Sequence, residues 1–386
     1  MTNAAPGLQA KSHIITCVKN FSWLNVAFKG LLIFLLLTVL IGDIPAGALG
    51  QLSLYNHIVP GRPRLPFGET PRRSYNLSLY NLEAMFASHE ISAEAVNKEE
   101  YRVILLGDSS VWGTLLKPEE TLAGRMNSLN LSLCGKPARF YNLGYPTISL
   151  TKDVLIMQRA LKENPDLAVW VTSLEAFPED KQYASPLAAN NRALVQPVLG
   201  GDGPESAAAG FWDTTLIGRR REFADWARLQ LYGIPWAATG IDQDYPANYP
   251  KADIDLEADE TYHGIEPDSD LSGTLAWDVL DKGMMLAREN NLPVVLVNEP
   301  ILISNGENSS VRYNFYYPRW AYDAYREELA RRADAANWTY LDAWDAVPMD
   351  QFTNSAIHLT PEGETILAGK LAASLGTIAC EAAGQP

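Results

Sequence analysis

Short apolar runs alternate with amphipathic stretches after residue 100, which predicts an α/β fold, a three-layer sandwich around a central parallel sheet. Two further observations complete the forecast. One uncharged apolar run near the N-terminus predicts a single transmembrane helix. A break in the β-α rhythm between residues 178 and 273 predicts a large insertion in one domain, because the rhythm resumes afterwards.

The elements follow in chain order. "VAFKGLLIFLLLTVLIGDIPAGALG" has an apolar core from Gly30 to Gly42 that is short of the roughly 20 residues a bilayer requires. Extending it back to Trp23, with Lys29 snorkelling toward headgroups, brings it into range and predicts an anchor over residues 23–43. Lys11, Lys19 and Lys29 precede this run, and the next Lys or Arg is Arg62. That asymmetry leaves residues 1–22 in the cytoplasm and the bulk of the chain extracytoplasmic. A cleaved signal peptide ending near Ala46-Gly47-Ala48 is the rival, although its first region would be unusually long. Residues 44–100 read as a Pro- and Arg-containing approach followed by the helix "LYNLEAMFASHEI".

The α/β domain spans residues 101–386, with the insertion at 178–273. Its strands are "RVILLG", "ARFYNLG", "DLAVWVTSL", "PVVLVNEPI" and "TYLDAW". Its helices include "EETLAGRMNSLN", "LTKDVLIMQRALKEN", "TLAWDVLDKGMMLAREN" and "RWAYDAYREELARRADAAN". The last helix opens at "LTPEG", where Thr360 suits the N-cap and Pro361 the first helical turn.

A net charge of −15 supplies no basic excess to displace counterions from phosphates, which argues against nucleic acid as a partner. Cys17, Cys134 and Cys380 have no metal-ligand spacing, so neither a metal nor another cofactor is expected. A disulfide between Cys134 and Cys380 stays open. Within the insertion, residues 216–240 place Arg219, Arg220, Arg221 and Arg228 beside apolar and aromatic residues. Such a stretch either lies in a membrane interface, near lipid or a membrane protein partner, or packs on its own domain. The acidic stretch after it lacks the spacing of a calcium loop.

"VILLGDSSVWGT" ends a strand abruptly in Gly-Asp-Ser-Ser, the way a serine is displayed at a sheet rim. A serine hydroxyl attacks only with a base in reach and a group holding that base. Of five histidines, His358 follows the last strand, where the loops of a parallel sheet gather. Ser109 and His358 are therefore the candidate nucleophile and base.

At these residues the chain resembles the SGNH/GDSL hydrolase superfamily. "GDSSVWG" resembles its first block, "YNLGYPT" its second, "PDLAVWVTSLEA" its third and "HLTPEG" its last. The resemblance implies an SGNH/flavodoxin-like fold and an ester hydrolase working through an acyl-enzyme without a cofactor. It also implies an oxyanion pocket built from the N–H groups of Ser109 and Thr147. The chain departs from the family pattern where Thr147 replaces a Gly, Glu175 replaces an Asn donor and Ser355 replaces the usual acid. Asp350 or Asp345 would then orient His358, or a backbone carbonyl or Asn354 would hold it in a Ser–His dyad, or the site would be degenerate. Asn142, Gly144, Glu175 and Glu299 are the candidates for lining a substrate pocket. Related membrane-anchored SGNH-like proteins modify envelope polymers, which implies an acylated envelope glycan as substrate. The alternatives are an O-acyltransferase on such a polysaccharide and a catalytically silent binding or assembly protein.

Overall fold

The computed structural model describes residues 23–42, 44–45, 48, 81–87, 89–92, 99–199, 211–239, 245–267 and 269–382. Strands β1 (Tyr101–Leu106), β2 (Ser132–Leu133), β3 (Lys136–Asn142), β4 (Leu167–Thr172), β5 (Val294–Asn298) and β6 (Thr339–Asp342) form one sheet in the order β2-β3-β1-β4-β5-β6. All pairings are parallel except the short β2–β3 hairpin at one edge. Its β2 is the one strand of this sheet the sequence pattern did not predict, because two residues are too few to show a period.

The helices are α1 (Trp23–Gly42), α2 (Leu82–Ala87), α3 (Ser109–Trp112), α4 (Leu122–Ser128), α5 (Leu150–Ala160), α6 (Lys181–Ala184), α7 (Pro186–Asn190), α8 (Arg192–Leu199), α9 (Arg220–Thr239), α10 (Trp277–Glu289), α11 (Arg319–Ala336) and α12 (Pro361–Ala382). Thr360 caps α12 as expected, accepting from the Gly363 N–H at 3.1 Å.

Strand alternation builds the three layers. Ile104, Leu106, Ala168, Trp170, Val294 and Leu296 point into a core shared with α2, α5, α10 and α11. Their neighbours Val103, Leu105, Val169, Val171, Val295 and Val297 point the other way, into a core closed by α4 and α12. Burial on both faces explains why these strands read as continuous apolar runs and not as alternating ones. The chain runs from β1 outward to β3, then returns past β1 to β4, so the strand order reverses beside β1. Open α/β sheets bind ligands outside the carboxyl ends of their strands at this reversal. Residues 107–113 occupy that place.

The described residues fall into two compact units. One joins the apolar helix α1 to residues 211–223, and the other holds the sheet and its helices. The predicted division at residues 43, 100 and 178–273 did not anticipate that part of the insertion belongs with α1. Residues 1–22 and most of 44–100 lie outside the described residues. Cys134 is a free thiol, and the side chain of Cys380 lies outside the described set.

Candidate active site

Gly107 ends β1, and the chain turns directly into α3. Asp108 is the N-cap, its Oδ1 accepting from the Ser110 N–H at 2.8 Å, and Gly113 closes the helix at φ 87°. A left-handed C-terminal residue is costly for any residue with a Cβ, so glycine suits it. Gly144 lies so close to the backbone of Trp112 that an added Cβ would sit 2.3 Å from its nitrogen. The loop after β3 is thus pressed against α3.

Ser109 Oγ lies 2.8 Å from His358 Nε2. The ring's other nitrogen, Nδ1, lies 2.9 Å from Asn354 Oδ1. With Nδ1 donating to the amide oxygen, Nε2 is left as an acceptor facing the serine hydroxyl, the tautomer a base requires. The loop is tied by its backbone: the Thr353 N–H donates to the His358 carbonyl at 2.8 Å, and the Leu302 N–H donates to the Ala356 carbonyl at 2.7 Å.

Burial holds His358 below the ordinary histidine range, and the charge opposing this is the Asp108 carboxylate. The ring is therefore neutral, and able to accept a proton, at neutral pH.

The expectation for Asp350 is corrected. Its carboxylate accepts from the Gln351 side chain at 3.3 Å, its carbonyl takes the Lys251 ammonium, and the ring contact goes to Asn354. Asp345 makes no contact with the ring either. The Ser109 N–H makes no hydrogen bond among the described residues, whereas the Thr147 N–H is engaged by the Tyr145 carbonyl at 2.7 Å. Glu175 does not stand as a bare charge. Its buried carboxylate takes Lys181 Nζ, lies 3.1 Å from His263 Nε2 and accepts from the Tyr262 hydroxyl at 3.3 Å. Burial raises the Glu175 pKa, and the bonds to His263 and Lys181 overcome this, leaving it below the usual carboxylate range.

Asn142 Oδ1 accepts from the Gly144 N–H at 3.0 Å, bridging within its loop. Asn142 also lines a cavity of about 320 Å³ together with Trp112, Asn127 and Arg139. Glu299 is fully buried and accepts from Ser110 Oγ at 2.6 Å. Burial first, and the neighbouring Asp108 charge second, raise its pKa well above the usual carboxylate range.

Three members of this assembly were not foreseen: Ser110, Lys152 and Asp153. Lys152 is fully buried in the first turn of α5 and donates to the Gly107 carbonyl at 2.7 Å and to Asp153. Asp153 accepts from Trp170 Nε1 at 3.2 Å, and burial pushes its pKa up to about 6 against the pull of Lys152. A "KD" pair in an amphipathic stretch reads as solvent-facing. The available signal was its position in the first turn after a loop of the active rim.

No family model matches the sequence, and no curated protein matches it. Among solved structures the chain is similar to a lipolytic protein of the G-D-S-L family from Desulfitobacterium hafniense. The identity is 11% and the TM-score 0.36, over 71% of this chain and 99% of that one. A GDSL-like lipase from Bacteroides thetaiotaomicron aligns at 11% identity and TM-score 0.35, over 74% and 92%. A carbohydrate acetylesterase from Sinorhizobium meliloti aligns at 15% and 0.32, over 72% and 98%. At this depth of similarity the reading of the site rests on its own geometry. Fold and site together define a three-layer α/β protein with a Ser–His–Asn constellation at the topological switch point.

Proposed function

We propose that the protein is a serine-dependent ester hydrolase of SGNH type. The observation that carries this reading is the 2.8 Å contact between Ser109 Oγ and His358 Nε2, with Asn354 behind the ring. His358 takes the hydroxyl proton as Oγ bonds to the acyl carbon. The carbonyl oxygen becomes an oxyanion and receives the Ser109 N–H. Thr147 adds a second donor once its N–H exchanges the Tyr145 carbonyl for substrate. The tetrahedral species expels the alcohol, which takes the proton back from His358 and leaves an acyl-serine. A water then loses a proton to His358 and attacks the acyl carbon; the second tetrahedral species breaks its bond to Oγ, which takes that proton from His358 as the acid departs. No step calls for a metal or cofactor.

Asn354 orients the ring without supplying charge, as an amide does in Cys–His–Asn sites. The carboxylate that steadies the transient imidazolium is then Asp108, which adjoins the nucleophile. Lys152, Ser110 and buried Glu299 position the turn.

The ester proposed is an acylated glycan, on the resemblance of the chain's motifs to membrane-anchored SGNH-like proteins that modify envelope polymers. If a sugar hydroxyl replaces water in the second half, the same acyl-enzyme performs O-acyl transfer. Comparing product partition with and without added glycan separates the two. Helix α1 is long and apolar enough to cross a membrane. Its flanking charges support an uncleaved anchor that leaves the catalytic domain extracytoplasmic.

A fluorophosphonate probe tests the reading. Labelling of Ser109, with ester turnover lost in both Ser109→Ala and His358→Ala, is the expected result. Absence of labelling, at a concentration that modifies a known serine esterase, would instead favour a silent binding protein.

A further inference from the structure

Helix α1 ends at Gly42, and the last carbonyls of any helix lack intrahelical donors. At a membrane boundary such groups are costly unless something satisfies them. Here the donors come from far along the sequence. The Arg219 guanidinium donates to the Gly42 carbonyl at 2.6 Å and to the Ile44 carbonyl. The Leu216 N–H donates to the Thr38 carbonyl at 3.0 Å. A cation at the negative end of the helix dipole is favourable as well.

The seat is closely fitted. Thr38 and Gly42 are the two buried residues of α1, and Thr215 is buried with them. A Cβ on Gly42 would lie 2.4 Å from the Thr214 carbonyl oxygen. Around this seat the same segment leaves large apolar groups in the open. Trp212 is 60% exposed and Ile217 is 42% exposed, and Arg220 and Arg221 are exposed beside them.

We infer that residues 211–223 form a second membrane contact, lying in the phospholipid headgroup layer where α1 leaves the bilayer. This rests on the reading of α1 as an anchor. Once α1 spans the bilayer, the bonds from Arg219 and Leu216 set the depth of the segment, since Thr38 to Ile44 is the exit end of the helix. At that depth Trp212 and Ile217 meet the boundary between headgroups and acyl chains, where amphipathic and apolar side chains partition favourably. Arg220 and Arg221 face lipid phosphates, which guanidinium groups bind with paired donors. The occupant of this surface is therefore phospholipid, held by phosphate contacts and shallow apolar insertion.

The test uses the full chain with Cys17, Cys134 and Cys380 replaced by Ser, reconstituted in phosphatidylcholine–phosphatidylglycerol vesicles. Single nitroxides are placed at Leu36→Cys, Ile217→Cys and Tyr183→Cys, all exposed positions. The ratio of collision with oxygen to collision with a water-soluble nickel complex is read at each. The expected order is Leu36 highest, Ile217 several-fold above Tyr183, and Tyr183 at the aqueous value. An Ile217 ratio equal to that of Tyr183, with Leu36 still in hydrocarbon, overturns the interfacial contact and leaves the anchor standing. An aqueous ratio at Leu36 overturns the anchor, and the contact with it.

Discussion

The two halves of the proposed catalytic pair are supported in opposite ways. Ser109 stands on a turn braced by buried ionisable groups: Asp108 caps it, Lys152 holds the Gly107 carbonyl, and Glu299 accepts from the Ser110 hydroxyl. His358 sits on a loop tied by backbone bonds and contacts one exposed, uncharged side chain, Asn354. A site with a carboxylate behind its histidine keeps orientation and charge compensation in one residue. In the proposed mechanism they are divided, with orientation on the histidine side and charge on the serine side. The arrangement can be tested from both ends.

The largest effect is expected at the reacting atoms, where Ser109→Ala and His358→Ala each lower kcat by about 10³-fold or more in a steady-state ester assay. Next comes the support of the nucleophile. Lys152→Met strands the buried Asp153 charge, and urea unfolding is expected to show a loss of about 3–5 kcal/mol. An unchanged midpoint would mean that the buried pair does not brace the turn.

Glu364, buried at the start of α12, has its pKa pushed up by burial to about 8. A carboxyl raised in the folded state favours folding below its unfolded pKa. That contribution is lost as pH rises toward the folded value. Glu364→Gln is expected to remove the decline between pH 5 and pH 9, a difference of a few kcal/mol in chemical denaturation.

The sharpest test of the divided labour has smaller effects. Asp108→Asn keeps an acceptor for the Ser110 N–H but removes the charge. It is expected to lower kcat about tenfold and move the acid limb of the pH profile further down, since the charge that raises the His358 pKa is gone. In the wild type that limb is expected below the ordinary histidine value, with activity rising as His358 loses its proton. Asn354→Asp returns a charge to the usual place, shifts the limb up and restores turnover to Asp108→Asn. A limb unmoved by either change would show that Asp108 serves the turn alone.

Much of this architecture was legible in the chain. Five of the six strands, the helices between them and the apolar N-terminal helix follow from local pattern, because burial on both sheet faces imposes long apolar runs. Ser109 and His358 were legible for a related reason: a strand ending in Gly-Asp-Ser and a histidine before the last helix both map to the carboxyl edge of a parallel sheet. The partner of His358 was legible only as a set of alternatives, since Asp350, Asp345 and Asn354 lie within one loop and direction in a loop is set by its fold. The Lys152–Asp153 pair was hidden, because a charge pair looks solvated until the tertiary structure shows what covers it.

The order of elements, the apolar N-terminal helix and the choice of Ser109 and His358 as the candidate pair were thus read from sequence alone, through periodicity and strand ends that local sterics enforce. Only the tertiary structure decided which side chain holds the imidazole, which charge faces it and that residue 219 caps a helix ending at residue 42. Those outcomes depend on contacts between distant segments, whose energies become readable once the chain is closed upon itself.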